Sequence, residues 1–164
     1  MAITVPDHVL TVSREEVAEI FIAFARFEFA LKASGFGKKG PRGEAKIDWD
    51  KFASKIATDF NASTTDEVGR AADYLMTAPP QQQHYVNNVL SWKVRVLKPD
   101  VSYMDKLLFH VRGVRNNLFH GAKCLQRESE DPCRDAKLVS AASIILGQCL
   151  RVAPEVHEAF YAEP

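Results

Sequence analysis

A chain of 164 residues with 46% hydrophobic and 26% charged residues has ordinary globular composition and is long enough to bury one sizeable core. Lys+Arg and Asp+Glu both number 21, so bulk charge demands no nucleic-acid partner, and any RNA contact has to come from a local basic patch. No apolar run approaches the roughly 20 residues of a membrane span, and the first residues carry neither a basic segment nor a long apolar one, so neither membrane partner nor signal peptide is expected.

Residues 1–12, with Pro6 and several β-branched side chains, are expected to form an extended N-terminal arm, and 13–164 one helical domain. Ser13-Arg14-Glu15-Glu16 reads as a capping box opening a helix to about Ser34. Val17, Ile20, Phe21, Phe24 and Leu31 recur at helical spacing and predict its core stripe. Glu28 falls inside that stripe, where a carboxylate needs a partner or must reach out to solvent from the stripe's edge. Ile22, Ala25 and Phe29 give the helix a second apolar flank, as expected of a central helix or an oligomer contact.

Gly35 to Lys46 holds four glycines, one proline and four basic side chains. It reads as a loop, either solvated and mobile or acting as a phosphate-contacting flap. Asp48 is expected to cap a helix to about Asp59 with Trp49, Phe52, Ile56 and Phe60 inward, and Thr64-Thr65-Asp66-Glu67 to open another to about Thr77 before Pro79-Pro80. Gln81 to Leu97 leans towards helix, although Val94, Val96 and Leu97 also suit extended chain.

Ser102 is expected to cap a helix through about Phe119, with Met104, Leu107, Leu108, Val111, Val114 and Leu118 on one arc. After a polar loop, a well-buried helix is expected from about Asp135 to Val152 and a short one to Tyr161. The odd cysteines Cys124, Cys133 and Cys149 have no C-x-x-C spacing, and His8, His84, His110 and His157 have no metal-ligand spacing. The chain therefore reads as a reduced cytoplasmic protein with no metal and no cofactor.

Chemistry concentrates in Arg115-Asn116-Asn117-Leu118-Phe119-His120. Arg112, Asn116, His120 and Lys123 share a polar side of the helix from Ser102, which taken alone is a solvated helix face. Arg115 lies at the edge of the apolar arc and needs an acceptor. Glu28 is the acid misplaced in the same sense, so the two helices are expected to pack with Glu28 near Arg115 or His120. Arg115 and His120, five apart, point roughly 140° from one another on an unbroken helix. One phosphate is then shared only if the helix breaks near Gly121 or a second copy contributes.

An all-helical chain with Arg115, Asn116 and His120 late in a long helix resembles the HEPN superfamily, the higher-eukaryote and prokaryote nucleotide-binding domains, whose hallmark is R-x(4–6)-H. Arg26-Phe27-Glu28-Phe29-Ala30-Leu31-Lys32, followed by Asp48-Trp49-Asp50-Lys51-Phe52, is similar to a plasmid- and defence-associated branch. The resemblance implies an all-α, single-domain helical bundle with additional short helices. It also implies a homodimer cleaving RNA without metal, as a toxin or defence effector, with an antitoxin or regulatory protein as a further partner. In that chemistry the 2′-hydroxyl attacks the adjacent phosphorus, His120 moves a proton, and Arg115 stabilises charge on the phosphoryl oxygens. Asn116 orients His120 or binds phosphate, and Glu28, Arg112 and Lys123 support the site. Related toxins regulated by tyrosine modification carry R-x4-H-x-Y, whereas this chain has Ala122 at the tyrosine position. Two other readings stand beside it: a non-catalytic module binding RNA, a nucleotide or a protein, and a dimerisation domain in which Arg115 and Glu28 are only a structural pair.

Overall fold

The computed structural model describes residues 11–119 and 133–163. The described residues are mostly helical, 65% helix in six helices, with two small antiparallel hairpins. Helix α1 spans Arg14–Leu31 and is closed at its start by the reciprocal Ser13–Glu16 capping box expected from the sequence. Its last turn widens into a π-type turn over Lys32–Phe36, where Gly35 takes a left-handed φ of 83° that a side chain would strain.

That turn feeds a hairpin, not the open loop that the glycines suggested. Strands β1 (Gly37–Lys39) and β2 (Ala45–Ile47) pair antiparallel. The register sets Lys38 directly opposite Lys46. Like charges across a ladder repel, and each lysine has its own acid here: Lys38 pairs with Asp48 at 3.1 Å and Lys46 with Glu44 at 3.0 Å.

Helix α2 (Trp49–Ala62) starts from Asp48, whose side chain accepts from the Lys51 N–H, and buries Phe52, Ile56 and Phe60. Helix α3 (Asp66–Thr77) is capped by Thr65 through Val68, one residue later than the capping box predicted, because the Thr64 hydroxyl is donated to the Phe60 carbonyl instead.

The lean towards helix over Gln81 to Leu97 is wrong. Strands β3 (Gln81–Val86) and β4 (Val89–Val94) form a second hairpin. Asn87 and Asn88 make its turn at φ of 50° and 61°, the left-handed pair that matches strand twist in a two-residue turn. Asparagine tolerates that conformation better than most residues.

Helices α4 (Tyr103–Phe119), α5 (Arg134–Arg151) and α6 (Pro154–Tyr161) complete the fold. α5 is the central element. Leu138, Val139, Ala142, Ile145, Leu146, Cys149 and Leu150 are all buried, which covers the wide arc the sequence predicted. α3 packs along α5, α1 along α6, and α2 along α4. Of the stripe predicted on α1, Ile20, Phe24 and Leu31 are buried, but Phe21 is exposed and Phe27 takes its place in the core. Ile22, Ala25 and Phe29 face outward, so α1 is not apolar on two buried sides. At the end of the expected arm, Val12 is buried and Thr11 donates to Asp135 at 2.7 Å. Among the described residues, no single helix is long and apolar enough to cross a membrane.

Candidate functional site

The site is built where α1, α2 and α4 meet over an aromatic floor. Phe27 stacks on Trp49 with ring centroids 6.5 Å apart and meets Phe52 edge-on at 5.7 Å, and Phe36 meets Phe52 at 5.1 Å. These rings fix the start of α2 against α1. Trp49 therefore has one ring face committed to the core and one free for a polar neighbour.

Above this floor lies the pair expected from the two misplaced charges. Arg115 Nη2 donates to Glu28 Oε2 at 3.0 Å, and Arg115 Nη1 donates to Asn116 Oδ1 at 2.9 Å. The guanidinium also lies over the Phe24 ring, 5.2 Å from its centroid. Its side chain keeps 31% of its exposure and that of Glu28 27%, so the pair stands at the core's rim and not within it. One edge of Arg115 is thereby fixed in direction while the group still meets solvent. The side-chain oxygen of Asn116 is engaged by Arg115, which leaves its two N–H donors for another acceptor.

Arg112 is not on a solvated face. Its guanidinium sits 5.0 Å from the centroid of the Trp49 ring, half-buried at the wall of a pocket. Burial pushes it below the ordinary value for an arginine; Arg95 and Arg115 push the same way, and Glu28 and Asp50 oppose them. The pocket, about 320 Å³, is lined by Glu28, Lys32, Lys46, Ile47, Trp49 and Arg112, with Ala45 at its edge.

His120 and Lys123 lie outside the described residues, so of the six expected site residues the structure brings together Glu28, Arg112, Arg115 and Asn116. Cys124 and His8 also lie outside them. Among the described residues no group of His, Cys, Asp and Glu is placed to hold a metal ion.

Three contributors were not singled out as site residues from sequence. Trp49 was assigned to the inward face of its helix, and Lys32 appeared only within the segment that carries the family resemblance. Asn117 is buried and donates through Nδ2 to the Gln81 carbonyl at 2.7 Å, fixing the root of the β3–β4 hairpin to α4. A helical wheel carries a signal for it. Asn117 falls seven residues after His110, on the side of α4 adjoining Val114, and His110 is buried too. No protein-family model, curated protein or solved structure matches the chain.

Proposed function

We propose that this chain is a cytoplasmic, metal-independent endoribonuclease of HEPN type that works as a homodimer, in a toxin or defence role. One observation carries the reading. Arg115 is held at the rim of the core by Glu28 and Asn116, near the end of α4, five residues before His120 in sequence. An arginine fixed in this way is suited to stabilising charge on a phosphoryl group, because it loses little freedom on engaging it. The histidine that follows supplies a group able to move a proton near neutral pH. RNA then cleaves by attack of its own 2′-hydroxyl, and DNA is inert.

The test is cleavage of a labelled single-stranded RNA by wild-type protein and by His120→Ala. Wild type is expected to cleave in the presence of EDTA, and the variant to keep its helical circular dichroism but lose cleavage. Equal cleavage by both proteins removes the proton-transfer role, and loss of wild-type cleavage on chelation points to a metal instead.

A second reading has its own support. Both terminal nitrogens of Arg115 are occupied within the chain, one by Glu28 and one by Asn116, as in a structural pair. A non-catalytic RNA-binding module with the same surface then binds RNA with no cleavage by wild type.

A further inference from the structure

The pocket beside the Glu28–Arg115 pair has an unbalanced charge. Glu28, the acid in its lining, is committed to Arg115. Lys46 is committed to Glu44. Arg112 and Lys32 remain, and neither makes a hydrogen bond or ion pair with any described residue. Trp49 meets the Arg112 guanidinium with its ring, whose π face attracts the charge but offers the N–H donors no lone-pair acceptor. Water satisfies donors. It does not balance the charge of a half-buried guanidinium that shares its pocket with an exposed ammonium; Glu28 and Asp50 offset part of the field on Arg112, and Arg95 and Arg115 add to it. An anion entering the pocket meets a lining that includes both Arg112 and Lys32.

The volume and charge narrow the class of anion. About 320 Å³ is far more than the roughly 30 Å³ that one water takes, so the space admits a tetrahedral anion with part of what carries it. Two uncommitted cations suit a phosphate better than a single carboxylate, and arginine's planar fork binds phosphate oxygens two at a time. Ile47 and the edge of Trp49 give apolar wall on which a sugar or base can rest. Arg112 lies one helical turn before Arg115, about 4.5 Å along the axis of α4.

We propose that the pocket between α1, α2, α4 and β2 is a phosphate-binding site in which Arg112 and Lys32 hold one phosphate group. The source is either a phosphodiester within a strand or the terminal phosphate of a nucleotide. The proposal rests on the ribonuclease reading only where a strand is the source, and it is tested without cleavage.

The chain has two tryptophans, so Trp92→Phe leaves Trp49, under Arg112, as the sole indole reporter. That protein is titrated with inorganic phosphate, with adenosine monophosphate and with a short all-deoxy oligonucleotide, which lacks the 2′-hydroxyl. A saturable change in Trp49 emission is expected. Arg112→Gln weakens it about tenfold or more, as for the loss of a charged hydrogen bond. The exposed Lys32→Gln, which puts no packing at risk, weakens it several-fold, and Lys55→Gln on the far side of α2 leaves it unchanged. Saturation by phosphate and the mononucleotide assigns a terminal phosphate, and saturation by the oligonucleotide alone assigns a strand. No saturable change with any of the three, or binding indifferent to both Arg112→Gln and Lys32→Gln, overturns the proposal. Because no ligand here can be cleaved by 2′-hydroxyl attack, an inactive enzyme still binds if the pocket is a phosphate site. An active enzyme with an inert pocket loses only this inference.

Discussion

Arg115 shows how a charge can be put at the edge of a core without being wasted. A guanidinium at that position needs an acceptor on another element, and Glu28 supplies one from α1 at 3.0 Å. Both side chains keep about a quarter to a third of their exposure, so the pair lies between the surface case, worth a few tenths of a kcal/mol, and the buried case, where removing one partner costs several. A double-mutant cycle of Glu28→Gln and Arg115→Gln, read by urea unfolding, is therefore expected to give a coupling of about 1 kcal/mol. A coupling indistinguishable from zero means that the pair does not persist in solution. The pairing was legible in sequence because both charges interrupt an apolar stripe. Arg112 was not legible in that way. The wheel puts it on the polar side of its own helix, and its half-burial comes from Trp49, which no periodicity within α4 reveals.

Among the elements, the first four helices announced themselves through their caps, α5 through its apolar arc, and the hairpins did not. Ser13 with Glu16, Asp48 and Ser102 each satisfy an N–H of the first turn, and such groups are local in sequence. The two hairpins rest on long-range ladders. In the first, four glycines hid two short strands. In the second, the Asn87-Asn88 turn was the available signal, and the polar glutamines ahead of it masked the alternation. The register puts Gln81, Gln83, Tyr85, Leu90, Trp92 and Val94 on one side and Gln82, His84, Val86, Val89, Ser91 and Lys93 on the other, so neither face is purely apolar.

Helix α4 carries a prediction of its own. His110 is buried, its Nδ1 has no hydrogen-bond partner among the described residues, and burial holds its pKa below the ordinary 6.5. The unfolded chain thus binds a proton that the folded chain resists. The stability linked to this group is full above 6.5 and is lost as pH falls through that value towards the lower folded one. Wild type is expected to lose urea midpoint as pH falls below 6.5, and His110→Leu to lose less. Glu44 and Asp48 do not confuse the comparison. Hydrogen bonds from Lys46 and Lys38 hold their carboxyls below the usual range, so they titrate at lower pH. An unchanged slope in His110→Leu means that other groups carry the acid sensitivity.

Beyond the fold of one chain lies the question of what α1 does with its outer side. Its inner side is fully used: Phe24, Phe27 and Leu31 are buried, and Arg26 ties it to the end of α6 through the Phe160 carbonyl at 2.7 Å. The outer side carries Ile22 at 66% and Phe29 at 51% exposure, with Ala25 between them at i+3 and Arg26 lying over the Phe29 ring. Large apolar side chains grouped along one helix stripe suit a contact with another molecule more than they suit water. Phe29 follows Glu28 directly but projects about 100° round the helix from it, so a second copy on this stripe packs against a neighbouring side of α1. A second copy is one way to meet the requirement set by the spacing of Arg115 and His120, which do not face one phosphate from a single straight helix. The expectation is that the purified protein runs as a dimer in light scattering. Ile22→Asp with Phe29→Asp should give a folded monomer with unchanged helical circular dichroism and lowered RNA cleavage, since both positions are outside the core. A wild-type monomer at the highest soluble concentration removes the composite site. A dimer that survives both substitutions with full cleavage moves the contact away from α1 and leaves the outer stripe without that role.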